Sequence, residues 1–205
     1  MVLVYLASGS PRRREILQQL GYQVERLVAE IDETPDGGET AWDYVQRMAQ
    51  EKNAAAVQKW YQQCDDAPAA PIITADTTVA LHNQILGKPQ HAEHAQEILS
   101  ALSGNTHQVL TAVCVSFQGQ TESVVQSSDV CFKTLTSAEI QAYIATGEPM
   151  DKAGAYGIQG LGGVFVHHLE GSFTGVMGLP VYETCALLAK MAYVVPPFLP
   201  NLIKK

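Results

Sequence analysis

Positive charge is scarce in this 205-residue chain. Thirteen lysine and arginine residues stand against 21 aspartate and glutamate residues, which gives a formal net charge of -8. An acidic surface repels phosphate backbones, so a nucleic-acid-binding function is disfavoured. If the ligand is an anion, its positive partners must be concentrated at one place in the fold.

Paired cysteines and long apolar runs are also missing. The four cysteines (Cys64, Cys114, Cys131 and Cys185) are widely spaced and form no CxxC motif, which favours reduced thiols in a cytoplasmic protein. No stretch of 18 apolar residues is present, so we expect no membrane span. The first residues are apolar and then basic, the reverse of a secretory signal, so none is expected.

Three common catalytic or nucleotide-binding motifs are absent too. Gly87-Lys88 would close a P-loop only with glycine at 82 and serine or threonine at 89, where the chain has His82 and Pro89. The dinucleotide fingerprint fails because Phe165 follows Gly160 and Gly162 at the position of the third glycine. No G-x-S-x-G elbow occurs.

Length and periodicity predict one globular domain of the α/β class. The chain is 46% apolar and 17% charged, an ordinary globular balance. Short apolar runs alternate irregularly with amphipathic stretches that carry capping signals, which favours a mixed sheet. Strands are predicted at 2–7, 22–28, 72–75, 79–81, 109–117 and 123–132, helices at 11–20, 41–63, 92–102, 137–146 and 181–192, and turns at 83–84 and 118–120.

The segment Ser8–Arg13 joins the first predicted strand to the first predicted helix. Helix N-termini present free N–H groups, and arginine binds phosphate oxygens in a bidentate manner. Ser8, Ser10, Arg12 and Arg13 together therefore form a candidate phosphate site. An ordinary N-cap with solvated arginines is an equal alternative from this pattern alone.

Four further polar residues are candidates for the same chemistry. Lys52 falls within the apolar stripe of its helix, so it either points into a cleft or extends along the helix edge. Asp76 is predicted at a strand end beside Thr77, where it could bind a divalent ion, activate water or simply form a turn. Lys88 could reach a phosphate or lie in a surface loop. The acidic loop 30–39, which contains Glu33, could hold a metal, although most of it is expected to be solvated.

Glycine is concentrated near the C-terminal end. Residues 151–180 contain eight of the 16 glycines, a density typical of tight turns or of backbone that approaches a ligand. Gln159 offers an amide suited to reading a base edge, and Lys152 precedes it in the same segment. A glycine-rich connection between core elements is the alternative.

Taken together, these motifs resemble the Maf family. The matching stretches keep their order and spacing to about residue 190, and DKAGAYGIQG is the most specific of them. They are LASGSPRR (6–13), IDE (31–33), YVQRMAQEK (44–52), ADTTV (75–79), LGKP (86–89), LSG (102–104), TGEPMDKAGAYGIQGLGG (146–163) and GLP (178–180).

The resemblance implies a fold and an activity. The fold would be a long curved mixed sheet flanked by helices, with two lobes around a central cleft, similar to the inosine triphosphate pyrophosphatase group. Residues 1–192 would form this domain and 193–205 a C-terminal tail. The activity would be hydrolysis of dTTP and UTP to the monophosphate and pyrophosphate, with Mg²⁺, Mn²⁺ or Co²⁺, in a cytoplasmic homodimer.

The resemblance also implies roles for individual residues. Asp76 matches the family's proton acceptor, and Glu33, Lys52 and Lys88 match polar active-site positions, with Glu33 and Asp76 as candidate metal ligands. The candidates for binding or selecting the substrate are Ser8, Ser10, Arg12 or its neighbour Arg13, Thr77, Lys152 and Gln159.

The sequence departs from the family pattern in three places, and two alternative functions stay open. Ala112 stands where glycine is frequent, Ser127-Ser128 where a threonine is frequent, and Phe173-Thr174-Gly175 where Tyr-Ser-Asn is usual. One alternative is a nucleotide-binding regulator linked to cell division. The other is an enzyme that clears only modified nucleotides.

Overall fold

The computed structural model describes residues 2–197, which form a seven-stranded sheet covered by helices. The strands are β1 (Val2–Leu6), β2 (Tyr22–Arg26), β3 (Ile72–Leu81), β4 (Gln84–Leu86), β5 (Thr106–Phe117), β6 (Gln120–Phe132) and β7 (Val166–Glu170). The α-helices are α1 (Pro11–Gln19), α2 (Ala41–Gln63), α3 (Ala92–Leu102), α4 (Ser137–Ala145), α5 (Phe173–Met177) and α6 (Val181–Lys190). Short 3-10 helices occupy Glu148–Asp151, Ala153–Ala155 and Leu161–Phe165.

The sheet is mixed, as the sequence predicted. Its order is β2-β1-β3-β5-β6-β7, with β4 paired to β3. The β1 strand runs parallel to both β2 and β3, whereas the remaining pairs are antiparallel. Parallel pairs need a crossover, and α1 and α2 provide it between β1 and β2 and between β2 and β3.

Two of the predicted helices, α2 and α4, begin where their capping signals place them because these signals are satisfied. The Thr40 side chain accepts a hydrogen bond from the Asp43 N–H at the start of α2. Thr136 and Glu139 form a reciprocal capping box at the start of α4. These local hydrogen bonds explain why the starts of α2 and α4 could be predicted.

The prediction of two short strands at 72–75 and 79–81 was wrong. These residues belong to one strand, β3, which pairs with β5 continuously from Ile72↔Ser116 to Ala80↔Gln108. Asp76 therefore lies within a strand and not at its end. The turn that follows is at His82-Asn83, one residue before the predicted position, and both residues have positive φ, as a two-residue hairpin loop requires.

The opposite edge of β3 has a gap. The β1 strand pairs only with Ile72 and Ile73, and β4 pairs only with Val79–Leu81. Residues 74–78 thus lack a strand neighbour on that edge within the described chain. Because successive side chains alternate between faces, the gap exposes groups from both faces of the sheet at one place.

Different helices cover the two faces of β3. Ile72 and Ala80 contact the apolar clusters that include α2. On the other face, Ile73 and Ala75 join a cluster with α1 and α6, while Val79 and Leu81 join a cluster with α3 and α4. Thr77 is the residue between these two clusters, at the position of the gap.

Two elements near the C-terminus were not predicted. The β7 strand pairs with β6, and α5 ends at Gly178, which has φ +114. The glycine-rich sequence obscured both, because their apolar residues are too few to show a period.

The predicted tail, residues 193–205, begins with two contacts to the sheet. Tyr193 donates to the Leu3 carbonyl, and the Tyr22 hydroxyl donates to the Val194 carbonyl, 2.8 Å away. Residues 198–205 lie outside the described part.

Candidate active site

A cleft of about 1190 Å³ opens at the gap in the β3 edge. It is larger than most small-molecule pockets, which occupy roughly 300–1,000 Å³. Every residue that the sequence proposed for the site lines this cleft. These residues are Ser8, Ser10, Arg12, Arg13, Glu33, Lys52, Asp76, Thr77, Lys88, Lys152 and Gln159.

Lys52 lies between two carboxylates on the α2 side of the cleft. Its Nζ is 2.7 Å from Asp76 Oδ1 and 2.8 Å from Glu33 Oε1. Asp76 and Lys52 are largely buried, with side chains 12% and 15% exposed, whereas Glu33 is 55% exposed. Within residues 2–197, Asp76 Oδ2 accepts no hydrogen bond and stays available at the gap.

A buried polar network fixes Lys52 in this position. The neighbouring Asn53 donates to the carbonyls of Ile72 (3.2 Å) and Cys114 (3.4 Å) and accepts from the Ser116 hydroxyl. Thr74 donates to the Ala49 carbonyl at 2.8 Å. Since these bonds tie α2 to β3 and β5, they direct Lys52 towards Asp76.

Arg13 lies on the opposite side of the gap, and neutral groups hold it there. Its guanidinium donates to the Gly178 carbonyl (2.7 Å), Ser8 Oγ (3.0 Å) and Thr77 Oγ1 (3.1 Å). Burial lowers the pKa of Arg13, although the nearby Asp76 carboxylate raises it. Arg12 also lines the cleft but makes none of these contacts, so the two arginines differ in how firmly they are held.

The hydrogen bond to Thr77 continues into the core. Thr111 donates to the Gly175 carbonyl at 2.8 Å and is 2.9 Å from Thr77. Because the Thr111 hydrogen is used, Thr77 must donate to Thr111, and the Thr77 oxygen accepts from Arg13. The Thr77 hydroxyl thus has no hydrogen left for a ligand, and its evident role is to orient Arg13.

The loop before α1 contributes two hydroxyls, one that accepts hydrogen bonds from the protein and one that makes no capping bond. Ser8 Oγ accepts from both the Ser10 N–H (3.2 Å) and Arg13. Ser10 is the N-cap residue of α1, yet its own side chain makes no capping bond. The first helical N–H groups are therefore left for another acceptor, as at anion-binding helix N-termini.

The glycine-rich segment forms the other side of the cleft. Lys152 Nζ donates to Asp151 Oδ1 (2.6 Å) and to the Glu148 carbonyl (2.7 Å). The Gln159 amide lines the cleft and makes no hydrogen bond with any part of residues 2–197. Lys88 is exposed after β4, and the Gly154 N–H holds the adjacent Gly87 carbonyl at 3.1 Å.

Five cationic side chains line the cleft, and three of them make no ion pair within the described chain. Lys52 and Lys152 contact carboxylates, whereas Arg12, Arg13 and Lys88 do not. Arg12 and Arg13 are partly buried, and positive charge in such a position without a counter-ion is costly, so an anionic ligand would offset that cost. Six carboxylates (Glu15, Glu33, Glu39, Asp76, Glu148 and Asp151) also line the cleft, so an anion would be bound by the placement of these cations and not by an excess of positive charge.

The carboxylates suit a divalent cation. Burial raises the pKa of Glu33, but Lys52, Lys88 and Arg13 together bring it below its ordinary value, so this group is ionised at neutral pH. No cluster of three or more histidine, cysteine or acidic residues with metal-binding geometry occurs among residues 2–197. Mg²⁺ is usually held by one or two carboxylates, and the substrate phosphates supply further ligands. The pair Glu33 and Asp76 is consistent with this arrangement.

Several site residues were not predicted from the sequence. Glu148 lines the cleft beneath the glycine-rich loop, and Asn53 and Thr111 position Lys52 and Arg13. Glu148 lies inside the specific 146–163 stretch, so its place in that motif was an available signal. For Asn53 and Thr111 no local signal exists, because their partners are 19 to 64 residues away in the chain.

Comparison with known proteins finds close relatives along nearly the whole chain. A dTTP/UTP pyrophosphatase of Pasteurella multocida is 61% identical over 90% of this chain and 93% of its own length. A nucleoside triphosphate pyrophosphatase of Haemophilus ducreyi is 57% identical over 95% and 98%. A dTTP/UTP pyrophosphatase of Neisseria gonorrhoeae is 55% identical over 94% and 96%.

Among solved structures, the Ham1 protein of Staphylococcus aureus overlaps 63% of this chain and 71% of its own, with a TM-score of 0.44 and 15% identity. Nothing about function follows from so partial a likeness. The family model described as Maf-like protein matches residues 3–191, nearly the whole chain. With this match and relatives above 50% identity, the chain belongs to the Maf family.

Proposed function

We propose that this protein hydrolyses dTTP and UTP to the nucleoside monophosphate and pyrophosphate. The observation that carries the proposal is the pairing, across one gap in the sheet, of a carboxylate that has a free oxygen with cations that lack counter-ions. A triphosphate is an anion of the matching kind, and the names of the close relatives supply the pyrimidine triphosphates.

The residues at the gap have two roles in the proposed reaction, proton abstraction and stabilisation of negative charge. Asp76 Oδ2 takes a proton from the water that attacks the α-phosphorus, the bond from that phosphorus to the bridging oxygen breaks, and pyrophosphate leaves. Lys52, Lys88 and Arg13 stabilise the negative charge that develops on the phosphate oxygens. Such electrostatic stabilisation is usually the largest contribution to phosphoryl transfer.

A divalent cation belongs to the proposal, with Glu33 as its protein ligand; Asp76 is the second candidate ligand, as the alternative to its role as proton acceptor. When bound, Mg²⁺, Mn²⁺ or Co²⁺ would neutralise phosphate charge and polarise the phosphoryl group. The protein's own part is to hold both carboxylates against the Lys52 ammonium group, at 2.8 Å for Glu33 and 2.7 Å for Asp76.

The remaining substrate contacts follow from position. Ser10, Arg12 and the free N–H groups of α1 lie where they can bind terminal phosphates. Ser8 and Thr77 support Arg13, and Lys152 supports the segment that carries Gln159. The unbonded Gln159 amide is the group available to read the base.

The first test is pyrophosphate release from the eight common ribo- and deoxyribonucleoside triphosphates with Mg²⁺ or Mn²⁺. We expect release from UTP and dTTP, and a loss of at least about 10²-fold in Asp76→Asn without loss of fold. Asp65→Asn, which changes an exposed aspartate in the 64–71 linker, is the matched control and should behave as wild type. Full activity in Asp76→Asn would refute the proposed role of the carboxylate.

Base selection is tested separately with Gln159→Ala. Loss of the amide should narrow the difference in kcat/KM between UTP and the other triphosphates by about tenfold, because one base contact is removed. An equal loss on every triphosphate would instead assign Gln159 to phosphate binding or to folding.

The proposal extends to a cytoplasmic homodimer. Four free cysteines suit a reducing compartment, and the described residues contain no helix with the length and apolar character needed to cross a membrane. Light scattering on the eluting peak of a sizing column distinguishes a mass near twice 22.2 kDa from the monomer.

A further inference from the structure

One carboxylate lies beneath the loop that carries Gln159. Glu148 begins the 3-10 helix that follows α4. Its Oε1 accepts from the Tyr143 hydroxyl (2.8 Å) and the Gly162 N–H (3.0 Å), and its Oε2 accepts from the Leu161 N–H (2.9 Å). A single side chain thus binds two successive backbone amides, those of the second and third residues after Gln159.

The same cluster holds the residues before Gln159. The Tyr143 hydroxyl, which donates to Glu148, accepts from the Gly157 N–H at 3.2 Å. Residues 157–162 therefore form an arch whose two ends are attached to one phenol and one carboxylate. Gln159 lies on this arch, and its side chain is left free.

The arch needs glycine at two positions because its backbone lies very close to the Glu148 carboxylate and the Tyr143 hydroxyl. A Cβ on Gly160 would be 2.7 Å from Glu148 Cδ, and a Cβ on Gly162 would be 2.7 Å from the Tyr143 hydroxyl oxygen. Gly160 has an ordinary extended backbone, with φ -108. The close approach, and not a special dihedral angle, is what requires glycine at this position.

Glu148 is ionised in this position. Burial alone would raise the pKa of its carboxyl group. The hydrogen bonds from Gly162, Leu161 and Tyr143 lower this pKa by more than burial raises it, so the net shift is downward. Hydrogen bonds to a charged acceptor are roughly twice as strong as neutral ones. Both oxygens accept hydrogen bonds from the protein, Oε1 from two donors and Oε2 from one, so the carboxylate is held against the loop.

We propose that Glu148 is a positioning residue for base selectivity: it fixes the arch at residues 157–162 and so holds the Gln159 amide at the edge of the base. This inference rests on the proposed function, because it concerns the choice among nucleoside triphosphates. It predicts that weakening the carboxylate changes the choice of base more than the hydrolysis of phosphate.

The test compares kcat and KM for UTP and CTP in wild type and Glu148→Gln. Glutamine retains the size of the side chain but has one acceptor oxygen where glutamate has two, so at least one backbone N–H loses its partner. We expect the UTP preference over CTP to fall by about tenfold, mainly through KM for UTP. Hydrogen exchange at the Leu161 and Gly162 amides should become faster.

Two further variants separate positioning from stability. Gly160→Ala displaces the same carboxylate from the loop side and should reproduce the loss of preference. Glu139→Gln removes the capping-box carboxylate of α4, which does not touch the arch. It should lower the unfolding temperature while leaving the ratio between UTP and CTP as in wild type.

The outcomes are distinct. A preference that is retained in Glu148→Gln, or a fall in kcat that is equal for all triphosphates, would overturn the positioning role. If wild type releases no pyrophosphate from any triphosphate, the proposed function fails. Calorimetric binding of UTP and CTP to wild type and Glu148→Gln then decides the positioning role, since lost discrimination supports it and equal discrimination overturns it.

Discussion

At the scale of single residues, the orientation of Arg13 depends on a chain of hydroxyls. Thr77 accepts from Arg13 and donates to Thr111, which donates to the Gly175 carbonyl. The sequence brought Thr77 into the site by its motif, but it could not show that the hydroxyl faces Arg13. That contact depends on how α1, β3 and β5 pack together, and packing across such distances leaves no local pattern.

We therefore predict that Thr111→Val impairs catalysis although Thr111 is fully buried. Thr77 would lose its acceptor, Arg13 would be less well oriented, and kcat/KM should fall by about tenfold for every triphosphate. Thr184→Val is the matched control, since Thr184 is equally buried and donates to the Pro180 carbonyl at 2.7 Å, outside the chain of hydroxyls that ends on Arg13. Equal activity in the two variants would contradict the orienting role.

His107 provides a second prediction at this scale. It is 1% exposed, its Nε2 lies 2.9 Å from the Tyr156 hydroxyl, and burial lowers its pKa from 6.5 to about 4. Between these two pH values the unfolded chain binds a proton that the folded protein does not. Stability from this group is therefore complete above pH 6.5 and falls as the pH drops towards 4.

The check is urea unfolding of wild type and His107→Gln across that range. The advantage of wild type should shrink by up to about 3 kcal/mol between pH 6.5 and 4, because each pKa unit corresponds to about 1.4 kcal/mol. Other acids titrate alike in both proteins and cancel in the difference. Parallel curves would show that His107 is not buried in its neutral form.

At the scale of elements, capping and hairpin signals predicted most helices and the long β5–β6 pair. The failure at β3 has a physical cause. Asp76, Thr77 and Thr78 resemble a turn in sequence, yet their backbone pairs with β5 and their side chains meet Lys52, Arg13 and the core. Polar residues were retained in a central strand because tertiary partners satisfy them, which local propensity does not register.

Gly154 offers a prediction at the level of elements. It lies in the middle of the 3-10 helix Ala153–Ala155, has φ +71, and packs against β3. A Cβ added to it would be 2.8 Å from Val79 Cγ2. Gly154→Ala should lower the free energy of unfolding by about 2–4 kcal/mol, from left-handed strain and overpacking together.

Gly147→Ala is the matched control. Gly147 has φ +75, and nothing lies within 4 Å of its added Cβ, so only the strain of about 1–2 kcal/mol applies. Equal destabilisation of the two variants in urea would show that β3 and the 153–155 segment are not packed as described.

At the scale of the whole molecule, the cleft joins two apolar clusters. Val79 belongs to the cluster with α3 and α4, Ala75 to the cluster with α1 and α6, and both residues line the cleft. The composition indicated one domain, and the family resemblance supplied the cleft. The division of the core around Thr77 became visible only in three dimensions, because it depends on where β1 and β4 stop pairing with β3.

A ligand that contacts both sides should stabilise the molecule as one unit. A non-hydrolysable UTP analogue at about 100 times its Kd adds about 2.7 kcal/mol to the free energy of unfolding. For a chain of this size that corresponds to roughly 5–10 °C in Tm. Differential scanning calorimetry should show one transition moving upward with UTP analogue and much less with the adenosine analogue. Two transitions that respond separately would indicate clusters that unfold independently.

The gap in the edge of β3 also limits how the family can diversify. Asp76 and Thr77 are adjacent in the chain, yet one faces α2 and the other faces α1, because side chains alternate along a strand. One residue inserted ahead of Asp76 would exchange the two faces, bringing the carboxylate against Arg13 and removing it from Lys52. An insertion or deletion within this strand would thus cost the reaction itself, whereas the 64–71 linker, which carries no site residue, can change in length without moving these two side chains.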